Sequence, residues 1–174
     1  MSLSGTRVLV ITADLFEDSE LLYPVHRLRE EEAEVVVATP DGASVTGKKG
    51  HGPFVADAAV EEVTADEFDA LVIPGGFAPD LLRRSEKVLD LVRAFDTARK
   101  PIAFICHAGW VPISAGIIKG RRATSFAAIR DDMVNAGCDF EDAPLVVDGN
   151  LVSSRHPGDL GPWLKGLIEV LETA

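Results

Sequence analysis

Residues 70–76 read Ala70-Leu71-Val72-Ile73-Pro74-Gly75-Gly76: four apolar residues in a row, then a proline and two glycines. A continuous apolar run of this length has the form of a strand buried on both faces, as in a parallel sheet covered by helices on either side. Three further runs repeat the form, Val8-Leu9-Val10-Ile11, Val35-Val36-Val37-Ala38 and Ile102-Ala103-Phe104-Ile105. Between them the apolar period lengthens to three and four. Leu21, Leu22, Val25 and Leu28 share one stripe, with Pro24 placed near a helix start or at a kink. Val88, Leu89, Val92 and Phe95 follow Ser85, a good N-cap. The segment from Phe126 reaches Gly137, a residue suited to ending a helix. Leu164, Leu167, Ile168 and Leu171 form the last stripe, with Pro162 in its first turn. Strands alternating with helices predict an α/β chain, doubly wound, with a mostly parallel sheet and helices on both faces. Leu145-Val146-Val147, the turn Asp148-Gly149-Asn150 and Leu151-Val152-Ser153-Ser154 predict a hairpin or a turn between strands. Residues 43–60, rich in glycine and proline, read as irregular strands or a hairpin excursion. With no repeat and no linker, 174 residues predict a single domain over 1–174.

Charge narrows the partners. Twenty-eight acidic against 17 basic residues leave a net charge of -11, which repels phosphate backbones and anionic lipid headgroups. Nucleic acid and membrane are therefore not expected as partners. No apolar run approaches the ~20 residues of a membrane span, and residues 1–7 lack the apolar core of a secretory leader. Two cysteines, Cys106 and Cys138, could form at most one bridge. A cytoplasmic protein with both thiols reduced is the expectation.

In open α/β sheets ligands bind beyond the carboxyl ends of the strands, so the turns that follow each strand are where chemistry is sought. Three of them carry it. The first strand is followed by Thr12-Ala13-Asp14-Leu15-Phe16-Glu17-Asp18, the third by Pro74-Gly75-Gly76-Phe77-Ala78-Pro79-Asp80, and the fourth by Cys106-His107-Ala108-Gly109-Trp110. A cysteine between a buried strand and a helix stands at the helix N-terminus, where partial positive charge favours thiolate, so a lowered pKa is expected for Cys106. The setting is that of a nucleophile elbow, with small residues Ala108 and Gly109 on the helix side. A lone cysteine is more often an inert core residue, and Cys138 is read as one. His107 could serve as base or acid, or simply face solvent. Gly75 and Gly76 would let backbone N–H groups approach a ligand, as an oxyanion hole requires, or would form an ordinary tight turn. Glu17 reads as a first-turn acid and Asp80 as an N-cap when each is taken alone. The four histidines, His26, His51, His107 and His156, share no ligand spacing with one another or with either cysteine, so no metal is expected. Neither a glycine-rich dinucleotide fingerprint nor a P-loop follows the first strand, which disfavours nucleotide binding.

Taken together, these pieces resemble the ThiJ/PfpI superfamily, and most closely its PfpI-like branch, over nearly the whole chain. The resemblance is carried by Phe16-Glu17-Asp18-Ser19-Glu20-Leu21 with Tyr23-Pro24, by Phe68 through Gly76, by Pro79-Asp80 and by Ile105-Cys106-His107. It continues through Ser114-Ala115-Gly116, Asp131-Asp132-Met133-Val134-Asn135-Ala136-Gly137 and Val147 through Arg155. It implies a flavodoxin-like sandwich of the class I glutamine amidotransferase kind. It also implies Cys106 as nucleophile, a protonated Glu17 hydrogen-bonded to the sulfur, His107 as partner base, and the amides of Gly76 and His107 as oxyanion hole. Asp80 would come from a neighbouring subunit to orient His107, so a homodimer or larger homo-oligomer is implied. No cofactor is required. Two positions depart from the pattern: Asp80 stands where some relatives carry glutamate, and Ala108-Gly109-Trp110 replaces a Gly-Pro.

Three functions are implied by the resemblance together with such a thiolate. The leading one is a stress enzyme acting on reactive carbonyls or their adducts on amino groups, of deglycase or glyoxalase type, through addition of Cys106 to the carbonyl. The second is hydrolysis of peptides, which needs a protonated leaving amine and a peptide groove that the sequence does not display. The third is redox sensing or chaperone activity through oxidation of Cys106.

Overall fold

The computed structural model describes residues 2–173. Strands β1 (Arg7–Ile11), β2 (Glu34–Thr39), β3 (Ala58–Ala59), β4 (Ala70–Ile73) and β5 (Ile102–Ile105) alternate with helices α1 (Asp18–Glu30), α2 (Ala78–Leu82) and α3 (Glu86–Thr97). Next come α4 (Trp110–Ala115), β6 (Arg122–Ala123), α5 (Arg130–Asn135) and β7 (Asp139–Phe140), then β8 (Val146–Asp148), β9 (Leu151–Ser154) and α6 (Leu160–Thr173). The main sheet has seven strands in the order β3-β2-β1-β4-β5-β9-β8. All its pairs are parallel except β8 with β9, which form the hairpin expected at Asp148-Gly149-Asn150. A small parallel pair, β6 with β7, stands apart.

Successive side chains of a strand point to opposite faces, and every residue of β4 and β5 is buried, so both faces of the sheet are covered. Helices α1 and α6 pack on each other, while α2, α3 and α4 form a second group. The predicted α/β sandwich is the observed architecture. The apolar stripes lie where their spacing put them: Leu21, Val25 and Leu28 on α1, and Val88, Leu89, Val92 and Phe95 on α3, are buried. Ser85 caps α3 by accepting the Val88 N–H at 3.4 Å. Trp163 seats α6 on the sheet by donating its indole N–H to the Val152 carbonyl at 3.2 Å.

Two local readings differ. The helix expected from Phe126 opens as a single 3-10 turn over residues 127–129 before α5 begins, and Gly137, at φ +87°, ends it as expected. Pro24 lies inside α1, which begins six residues earlier. Residues 43–60 make the expected excursion, with Val45 and Phe54 exchanging backbone hydrogen bonds at 3.0 and 2.7 Å. This loop comes back over the end of β1, because Lys48 N–H donates to the Phe16 carbonyl at 2.9 Å and Leu15 N–H to that of Thr46 at 2.7 Å. Among the described residues no helix is long and apolar enough to cross a membrane.

Candidate active site

Strands β1, β4 and β5 are neighbours, so the three turns at their carboxyl ends meet. The centre is Cys106, the first residue after β5, buried to 5% exposure and held at φ +63°. A side chain in that region of backbone space costs about 1–3 kcal/mol and persists only where its surroundings impose it. Those surroundings are visible here. The Cys106 carbonyl accepts the Phe126 N–H at 3.1 Å, and the loop carrying Phe126 is tied to β9 where Ser153 Oγ accepts the Thr124 N–H at 2.9 Å.

The two glycines after β4 are sterically required. A Cβ on Gly75 would lie 2.5 Å from Glu20 Oε2 and 2.8 Å from Cys106 Cβ. One on Gly76, whose φ is +83°, would lie 2.3 Å from the Glu17 nitrogen. The missing side chains let the backbone pass between the carboxyl group and the thiol. The Gly76 and His107 N–H groups, expected to face an oxyanion, lie by the Cys106 sulfur and favour its ionised form.

The carboxyl group beside the thiol is that of Glu20, not Glu17. Glu20 is fully buried, its Oε2 accepts the Gly75 N–H at 2.8 Å, its Oε1 has no hydrogen-bond partner among the described residues, and the carboxyl group neighbours the Cys106 thiol. Glu17 precedes α1 and is turned to the 43–60 loop instead. Its carboxylate takes Lys48 Nζ at 2.7 Å and Lys49 Nζ at 2.6 Å, with Ser19 Oγ at 3.2 Å. Burial alone would raise the Glu17 pKa, but the two ammonium groups outweigh it and hold the carboxyl below its ordinary range. A protonated Glu17 on the sulfur, as the resemblance implied, is thereby corrected. The helix geometry gives the reason: Glu20 lies on the buried face of α1 with Leu21 and Pro24, whereas Glu17 stands one turn earlier, where the loop supplies cations.

The expected lowering of the thiol pKa is also corrected. Burial pushes Cys106 up to about 12, helped by the Glu20 carboxylate and opposed by the two N–H groups. The helix behind it is a 3-10 turn over Cys106–Gly109 and then only six α-helical residues, too short for a strong N-terminal field. Burial likewise pushes Glu20 up to about 7. Two acids in such contact titrate as a pair, and their first proton leaves near neutrality. The single negative charge that remains is shared: either Glu20 is ionised beside a thiol, or a protonated Glu20 donates to a thiolate.

His107 stands over this pair. Its Nδ1 is 3.3 Å from Cys106 Sγ, its ring stacks on Phe126 with centroids 5.1 Å apart, and Trp110 meets it edge-on. Burial first, and then the charge of Lys48, lower its pKa, so the imidazole is neutral at pH 7 and free to accept a proton. Asp80 is not an N-cap but an exposed residue within α2, 4.0 Å from Arg84 Nη2. Within one chain no hydrogen bond joins it to His107 among the described residues. Cys138 is buried against the Ala123 carbonyl, and burial pushes its thiol up to about 11. A groove of about 580 Å³, lined by Phe126, Arg130, Phe140 and Arg155 among others, adjoins the site through Phe126. No cluster of three or more metal-ligating side chains occurs among the described residues.

Glu20 and Lys48 were not singled out from sequence. A carboxylate on the apolar stripe of an amphipathic helix is a signal that could have found Glu20, since residues 20, 21, 24, 25 and 28 share one face. No pattern marks Lys48, which comes to the site by the path of an irregular loop.

The model of the DJ-1/PfpI family matches residues 6–170. A deglycase of Pyrococcus abyssi is 52% identical, covering 95% of this chain and 99% of its own. Deglycase PfpI of Pyrococcus furiosus is 49% identical over the same shares. The crystal structure of DJ-1beta from Drosophila melanogaster superposes with a TM-score of 0.90 at 30% identity, over 98% of this chain and 91% of that one.

Proposed function

Because this chain belongs to the DJ-1/PfpI family, we propose that it is a cysteine-dependent deglycase that acts on 2-oxoaldehydes and on their early adducts with amines and thiols. The observation that carries this reading is the convergence on one sulfur of Glu20, His107 and the Gly76 and His107 amides. The names of two full-length relatives support it.

The chemistry needs no external oxidant or reductant. An early adduct reverts to its free amine and the aldehyde. The Cys106 thiolate adds to the aldehyde carbon, the carbonyl electron pair moves to oxygen, and Glu20 returns the shared proton to that oxygen. Neutral His107 then takes the proton from the former aldehyde carbon and returns it to the neighbouring carbon, while the hydroxyl proton of the first carbon passes to the ketone oxygen, so that the first carbon becomes the thioester carbonyl and the second carries the alcohol. The product is a thioester of a 2-hydroxy acid, and water cleaves it to the acid and the free thiol. The N–H groups of Gly76 and His107 are placed to stabilise charge on sulfur and on the adjoining oxygen.

A homodimer completes this proposal. His107 has one ring nitrogen engaged, Asp80 is exposed, and the apolar Leu15 and Phe77 beside the turn are 49% and 62% exposed. Asp80 of a second copy is the acid we assign to orient His107, with the cytoplasm as its place of work. Purified protein and its Cys106→Ala variant are to be assayed for methylglyoxal consumption and for release of free amine from methylglyoxal-treated N-acetyl-lysine. Both activities should vanish in the variant. Activity that survives Cys106→Ala, or a wild type that cleaves casein but spares methylglyoxal, would overturn the reading.

A further inference from the structure

His107 belongs to the 3-10 turn Cys106–Gly109, and Trp110 caps that turn three residues further on. Side chains so spaced on a 3-10 turn eclipse one another, which sets the indole against the imidazole. Their ring centroids are 5.3 Å apart with planes at 65°, an edge-to-face contact. The imidazole also stacks on Phe126, at 5.1 Å and 29°. Trp110, half-buried, is itself held from outside the turn. Its indole N–H donates to Asp132 Oδ2 of α5 at 2.8 Å. Gly109 lets α5 come that close, because a Cβ there would lie 2.9 Å from Met133 Sδ and 3.2 Å from Ile129 Cδ1. The Arg83 guanidinium lies over the indole, 5.4 Å from its centroid, and is fixed where Nε donates to Ser114 Oγ at 2.9 Å.

We propose that Trp110 is a positioning residue for His107: held by Asp132 and Arg83, its indole walls the imidazole in together with Phe126 and keeps Nδ1 at 3.3 Å from Cys106 Sγ, beside the carbon that the sulfur would carry. The indole N–H is spent on Asp132, so Trp110 moves no proton of its own and acts through the ring it confines. A histidine side chain turns about two bonds, and its other rotamers take the ring away from the sulfur. A base works only within hydrogen-bond reach of the proton it takes, so time spent in those rotamers is lost to the reaction. Asp132 serves the same end at one remove, as the acceptor that stops the indole from swinging out.

The inference rests on the proposed deglycase for its kinetic arm, while its structural arm needs no turnover. The structural arm is nitrogen NMR of ring-labelled histidine at pH 8, with the His107 signals assigned by their loss in His107→Gln. A confined neutral ring keeps one tautomer and its two nitrogens resonate far apart. In Trp110→Ala the gap should narrow to that of free N-acetyl-histidine measured alongside. Asp132→Asn, which still offers an oxygen to the indole, should keep the wild-type gap, and Asp132→Ala should narrow it. Should Trp110→Ala not fold, Asp132→Ala takes its part, since it frees the indole without removing it. In the kinetic arm, Trp110→Ala should lower kcat for methylglyoxal about tenfold and leave KM within about twofold. On a His107→Gln background the same change should cost nothing further. The pH profile of iodoacetamide alkylation at Cys106, read by mass spectrometry, should keep its midpoint, because Glu20 and the two amides stay in place. An unmoved nitrogen gap in Trp110→Ala would overturn the proposal. So would a tenfold loss repeated on the His107→Gln background, or a displaced alkylation profile, either of which would give Trp110 a role apart from His107. A gap that narrows in a protein without turnover would sink the deglycase and leave Trp110 standing, while turnover with an unmoved gap would sink Trp110 alone.

Discussion

At the scale of the residue, Glu20 decides both reactivity and stability. The free carboxyl has its ordinary value of 4.5, and burial raises it to about 7 in the folded chain. Between those pH values the native state holds a proton that the unfolded state has lost, so this contribution to stability is full below pH 4.5 and is lost as pH rises through 7. At about 1.4 kcal/mol per unit the contribution approaches about 3 kcal/mol. Glu20→Gln should therefore unfold at a higher temperature than wild type at pH 8, and the two should converge at pH 4.5. Thermal unfolding across that range checks it. The same variant should alkylate at Cys106 with a midpoint moved above that of wild type, because glutamine cannot take the thiol's proton. An unmoved midpoint would show that Glu20 does not share that proton. Cys106 and His107 were legible because a strand-to-helix turn announces itself in apolar pattern and small neighbours. Glu20 was not, because the choice between two acids three residues apart depends on which face of α1 meets the sheet, and on a loop that claims the other.

At the scale of the element, the turn after β4 tolerates no side chain, and the consequence is quantitative. A Cβ on Gly76 meets backbone at 2.3 Å and must also adopt φ +83°, whereas one on Gly116, at φ +78°, meets nothing within 4 Å. Gly116→Ala carries only the left-handed backbone penalty of about 1–2 kcal/mol. Gly76→Ala adds overpacking of about 1–3 kcal/mol, so its urea midpoint should fall clearly further. Equal losses would mean that the Phe16–Gly76 contact yields easily. The strands and the α3 stripe were legible because continuous apolar runs and 3–4 spacing are local signals. The 3-10 turn at residues 127–129 was not, since its form is set by the Phe126 N–H reaching the Cys106 carbonyl, a contact between distant segments.

At the scale of the whole molecule, the proposal that Asp80 acts between two copies has a direct test. Homodimers of Asp80→Ala and of Cys106→Ala should each be weak in methylglyoxal turnover. After mixed unfolding and refolding, about half the dimers pair one of each and hold one competent site of two, so recovery near a quarter of wild type is expected. Mixed dimers seen by native mass spectrometry without recovered activity would remove Asp80 from that role.

The two ends of the main sheet bear on where a second copy can attach. One end is β3, two residues long, and the other is β8, three residues long. Long free strands are the parts of β proteins that template pairing with other chains, because they expose rows of unpaired N–H and C=O groups. Stubs of two and three residues offer hardly any such row. The fold thus blunts both of its open borders and keeps the backbone of one molecule from zipping onto the next. Ordered self-association is left to side chains, and concentrated solutions of this protein should stay free of fibrils built by strand addition.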